Sequence, residues 1–173
     1  MDQTDTGLKA VMKALTDVVE PALDPNDPLA REQLRLAVEY IGFVRARIDF
    51  LHSRERFDLL HYIGLARAMV AAGVGPGSAP GQYLAEALAQ ALPLQDAAAA
   101  RTDQLRAASM ELAHAVAGVT QAAPDLPAEV AAKLRQIVLE ESAPKLQFEL
   151  HWYAPVGFDP DLPKDVALTD FFR

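Results

Sequence analysis

Three of the four histidines in this chain stand three residues after an acid: Asp49/His52, Asp58/His61 and Glu111/His114. Acid-x-x-His pairs on facing helices, joined by single glutamates from other helices, hold two metal ions in ferritin-like bundles. The spacing argues against that chemistry here. Asp49/His52 and Asp58/His61 are nine residues apart, which puts them on opposite sides of one continuous helix. His114 lies opposite the apolar stripe Leu105–Val119, on the side that faces water. Two of the three acids are aspartates, shorter than the usual glutamate ligand. The expectation is no metal site and no cofactor.

Arg45, Asp49 and His52 form a more coherent local set, spaced i, i+4, i+7 on one edge of an apolar stripe. Arg45 and Asp49 can pair, and His52 can hydrogen-bond the same carboxylate. Half-buried, such a set could orient a polar ligand or work as an acid–base pair with the histidine tuned near neutral pH. For nucleophilic chemistry the signals are absent. Cysteine does not occur, and Ser53, Ser78, Ser109 and Ser142 stand in neither a Gly-x-Ser-x-Gly elbow nor a Ser-x-x-Lys pairing. The glycine-rich stretch 71–81 has no Lys-Ser/Thr and no preceding strand, so it reads as a connector and not as a phosphate loop.

The element that must carry Arg45, Asp49 and His52 runs from Leu34 to Leu65, and at helical pitch it has two apolar faces. Leu34, Ala37, Val38, Ile41, Val44, Ile48 and Leu51 fall on one stripe, the core face of a bundle helix. Leu36, Phe43, Phe50 and Phe57 repeat every seven residues on the opposite side, a ridge that needs its own cover. Arg47 sits in that second arc near Leu36 and Tyr40, which leads to the expectation of an acid from another helix or subunit. Asp27-Pro28 supplies a cap and first-turn pair for this helix. No proline follows before Pro76. A straight helix over 28–72 would be ~65 Å long, against ~40 Å for the diameter of a compact chain of this size. The ridge passes through residues 50–57 unshifted, which favours a continuous or gently bent helix over a break at Ser53.

Around it the periodicity predicts a first helix from Thr6, a short helix from Gln82 ended by Pro93, an alanine-rich helix over 94–121, and a last helix from Pro127 fading by Pro144. Lys145 to Tyr153 then alternates strictly, with Leu146, Phe148, Leu150 and Trp152 apolar, which is a strand signal. No second strand is evident to pair with it. The fold class expected is therefore mainly α: a helical bundle over residues 1–143, with one long central helix, and an extended aromatic C-terminal arm over 144–173 containing one candidate β-strand. Six of the twelve aromatic residues follow position 147, so this arm should dock on the bundle or on a partner subunit.

Bulk properties narrow the function. The 173 residues are 51% hydrophobic and fit one domain with a sizeable core. A net charge of −8 and a pI near 4.9 argue against nucleic acid as partner. No apolar run approaches the ~20 residues of a membrane span. Absent cysteine and an acidic, polar start suit a cytoplasmic protein. The leading expectation is a non-enzymatic helical protein acting by association, as a homodimer or accessory subunit, through Leu36, Phe43, Phe50, Phe57, Phe148 and Trp152. The alternative is a binder of, or enzyme for, an amphipathic anionic small molecule, with a pocket near Arg45, Asp49 and His52.

Overall fold

The computed structural model describes residues 3–157, 159, 161–163 and 166–172. It is a helical bundle, 83% helical, with no strand among the described residues. The helices are α1 (Gln3–Ala14), α2 (Pro28–Arg47), α3 (Leu51–Ala71), α4 (Ala79–Gln95), α5 (Thr102–Gln121) and α6 (Ala128–Trp152). After α1 the helical path widens into a π-turn over Leu15–Val19 and closes with one turn, Glu20–Ala22. Two compact units divide the chain. One comprises residues 1–50 and 152–162, the other 51–151 and 163–173.

In the first unit, α2 starts as its sequence dictates. Asp27 caps it by accepting a hydrogen bond from the Ala30 amide at 3.0 Å, with Pro28 in the first turn. α1 packs on α2, and its Met12 methyl lies 3.5 Å from where a Cβ on Gly42 would stand. The small residue there lets the two helices approach. The contact is nevertheless thin, since no residue between 3 and 50 is fully buried. At its C-terminal end α2 gives way to a tighter 3-10 turn, Ile48–Phe50. Helical geometry resumes at Leu51, so the single central helix expected from the sequence is divided into α2 and α3 by this turn, while Ser53 lies inside α3.

The second unit holds the core. Leu59, Ile63, Ala66 and Met69 of α3 pack with Leu84, Ala87 and Ala91 of α4 and with Leu105, Leu112, Ala115, Val116 and Val119 of α5. The expected α5 stripe is thus its buried face, with Ala108 at the margin. Leu134 of α6 joins the same cluster. The 71–81 connector earns its glycines locally. Val74 N–H bonds to Met69 C=O at 3.2 Å and Gly73 N–H to Val70 C=O at 3.1 Å, a Schellman ending with Gly73 at φ +105° and Val74 turned into the core. Ser78 then caps α4 through the Gly81 amide.

Three expectations about helix ends need correction. α4 does not stop at Pro93 but runs through it to Gln95, and α5 begins at Thr102 instead of residue 94. The candidate strand over Lys145–Tyr153 is not a strand. α6 continues through Pro144 to Trp152. The alternation there hides a second pattern, because Phe148 and Trp152 are four apart and fall on one helical face, where both are buried. Leu146, on the other side, is 59% exposed. A helix satisfies the backbone groups of this segment internally, which a lone strand could not. The extended arm expected over 144–173 is likewise not found: the helix takes its first part, and the described residues after Trp152 include the 3-10 turns Ala154–Val156 and Leu168–Phe172.

Candidate functional site

The two faces of α2 are treated very differently. The inner stripe (Leu34, Val38 and Ile41) is half-buried against α1. Along that seam the Arg45 Nε donates to Asp5 Oδ1 at 2.5 Å. Asp5 also accepts from Lys9 at 2.7 Å, and the hydrogen bonds from Lys9 and then Arg45 hold its carboxyl below the ordinary carboxylate range. Arg45 is therefore committed to α1. Asp49 stands exposed in the 3-10 turn, and His52, in the first turn of α3, has its Nδ1 3.4 Å from Thr102 Oγ1.

The outer face of α2 is the N-terminal half of the Leu36–Phe43–Phe50 ridge. Its lower end is covered by the segment that follows α6. Tyr153 stacks on Phe43 at 5.6 Å with the rings 6° from parallel, and Trp152 meets Phe43 edge-on at 6.4 Å. Arg47 is absorbed there too. Its Nε donates to the Trp152 carbonyl at 2.8 Å and its guanidinium lies 5.6 Å from the Trp152 ring. Burial pulls that guanidinium below its ordinary pKa. Among the described residues the upper end lacks this cover. Leu29 is 68% exposed, Leu36 44% and Tyr40 67%, one aligned patch at spacings of seven and four. Glu32 and Glu39 beside it are both bridged by Arg35, the first at 2.6 Å.

In the second unit Phe148 is buried and Phe57 is half-buried against it. Their rings lie 4.2 Å apart, and Phe148 also meets Phe171 and Phe172 from the 3-10 turn Leu168–Phe172. A closed ring of charges flanks them. Arg54 donates to both Glu149 oxygens at 3.0 and 3.1 Å and stands 3.9 Å from Asp58, while Lys145 bonds Asp58 and, at 2.6 Å, Glu149. Burial pulls the Lys145 ammonium down, but its hydrogen bonds to Asp58 and Glu149 outweigh this and leave it above its ordinary value. Asp58 is thereby held by Arg54 and Lys145. His114 packs edge-on to Tyr83 at 5.9 Å, and Tyr83 donates its hydroxyl proton to Glu111. Among the described residues no group of three or more His, Asp or Glu side chains could hold a metal ion. The i,i+4 halves of the charge ring, Arg54/Asp58 and Lys145/Glu149, are visible in the sequence. Their closure between α3 and α6 is not.

No known protein family, curated protein or solved structure matches the chain. No described helix is long and apolar enough to cross a membrane.

Proposed function

We propose that this protein works by association, as a homodimer that closes over the outer face of α2. The observation that carries the proposal is the contrast between the two units. The second has a buried core, whereas the first presents two helices, α1 and α2, among which no residue from 3 to 50 is fully buried. A two-helix unit of this size seldom holds itself together without disulfides, metals or oligomerisation. Leu29, Leu36 and Tyr40 are the surface such an assembly would cover.

A second copy fits this face on electrostatic grounds. The chain carries −8 overall, so like copies repel in general. Around the patch, however, Glu32 and Glu39 share Arg35 between them, so a mostly apolar surface is bordered by only one net negative charge. A two-fold axis would set Leu36 and Tyr40 against their own counterparts, the isologous geometry of most homodimers.

Size-exclusion chromatography with light scattering tests this directly. The expected mass is twice 18.7 kDa for the wild-type chain, falling to the monomer in Leu36→Asp with α3–α5 still folded. A wild-type chain that stays monomeric at high micromolar concentration would remove the proposal.

A further inference from the structure

We infer that the second unit binds an amphipathic monocarboxylate, an acyl or aryl acid, in a cavity between α3, α6 and the Leu168–Phe172 turn. The cavity has a volume of about 460 Å³, within the range of small-molecule sites. This inference does not depend on the dimer, since every residue of the site lies in one copy of the second unit.

Arg56 gives the site its sign. Its Nη1 donates to the Gln95 carbonyl at 2.9 Å and its Nη2 to the Ala97 carbonyl at 2.8 Å, which fixes the guanidinium plane at the end of α4. Those partners are dipoles. No carboxylate of the described residues pairs with it, unlike Arg35, Arg45, Arg54, Arg101 and Arg106, each of which has one. A half-buried, preoriented guanidinium without a counter-ion in a cavity wall is a carboxylate receptor. His52 and Ser53, one turn earlier on α3 and lining the same cavity, add donors at that end.

The remainder of the cavity sets the ligand's body. Phe57 and Leu60 of α3 face Phe171 and Phe172, so the walls beyond Arg56 are hydrocarbon and aromatic. His61 and Glu141 also line the cavity, and His61 feels the charge of Lys145 more strongly than that of Glu141. Arg56 is the guanidinium in the wall, so the carboxylate points toward it and the ligand's body lies along the aromatic and aliphatic side chains. The inference is of one carboxylate on an apolar body.

The test is isothermal titration of the full chain with octanoate and, separately, with 1-octanol, the neutral molecule of the same shape. Octanoate should bind at least about tenfold more tightly than octanol, the ratio that one carboxylate–guanidinium contact supplies. Arg56→Gln should abolish that preference. Because Arg56 also ties α3 to the end of α4, Leu60→Glu provides the second variant. Leu60 is 43% exposed, so an acid there leaves the unfolding midpoint unchanged while weakening octanoate by about tenfold or more through like-charge repulsion. Octanoate that produces no saturable heat overturns the inference. So does octanol binding as tightly as octanoate, or octanoate affinity that neither variant changes.

Discussion

Phe148 and Leu36 belong to the same predicted interface set, and the structure separates them sharply enough to give a quantitative test. Phe148 is completely buried, with Phe57, Phe171 and Phe172 around its ring and the Arg54 guanidinium 5.9 Å away. Truncation to alanine removes roughly 100 Å³ of side chain. At about 24 cal/mol per Å³ of unrelaxed cavity, plus about 2 kcal/mol of lost transfer free energy, Phe148→Ala should cost about 4 kcal/mol. For a chain of this length that is a fall of roughly 8–16 °C in the unfolding midpoint. Leu36, nearly half exposed, should cost less than about 1 kcal/mol on truncation when measured in the isolated monomer. Calorimetry and urea unfolding followed by circular dichroism measure both, with light scattering of the same samples reporting assembly. The expected outcome is a crossed pattern, in which Phe148→Ala loses stability and Leu36→Asp loses mass. A Phe148→Ala protein that keeps its midpoint but dissociates would refute the reasoning, because Phe148 would then face a partner.

Further predictions follow from single sites. A Cβ on Gly81 would stand 2.0 Å from the Gly75 carbonyl oxygen, and backbone cannot step aside as a side chain does. Gly81→Ala should therefore destabilise the second unit by about 1–3 kcal/mol, seen in the same calorimetry. Asp27→Ala removes the α2 cap and should cost about 1 kcal/mol, measurable as faster amide exchange in the first turn of α2. Burial, and then the charge of Lys145, hold His61 below the ordinary histidine value of 6.5. As pH falls, the unfolded chain takes up that proton first, so the stabilisation is fully present above about pH 6.5 and declines as pH drops toward the folded-state value. His61→Gln should flatten that part of the stability–pH curve, and an unchanged slope would show that His61 does not titrate there.

The parts of this fold that could be read in advance were those set by local chemistry. Asp27-Pro28 marks the start of α2, and the spacing of Leu105, Leu112, Ala115, Val116 and Val119 gives the inner face of α5 correctly. The prolines misled, because Pro93 and Pro144 remove one amide each but do not force a helix to stop where tertiary packing holds it. At Lys145–Tyr153 the sequence supports two periods at once, and only the burial of Phe148 and Trp152 on one helical side decides between them. The Leu36–Phe57 ridge was legible as a surface in need of cover. What covers it was not, since Trp152 and Tyr153 reach Phe43 from more than a hundred residues away. The same holds for the candidate cavity. His52 could be singled out, but the residue that gives the proposed site its charge is Arg56, and it ends on two carbonyls where Arg35, Arg45, Arg54, Arg101 and Arg106 end on carboxylates.

Amide hydrogen exchange of the full chain as a function of its concentration tests the central claim most directly, because it reads the two units separately. If the first unit completes its core by association, amides of α1 and α2 slow markedly from low to high micromolar protein, while those of α3, α4 and α5 stay constant. Exchange in α1 and α2 that is already slow and does not change with concentration would contradict the account.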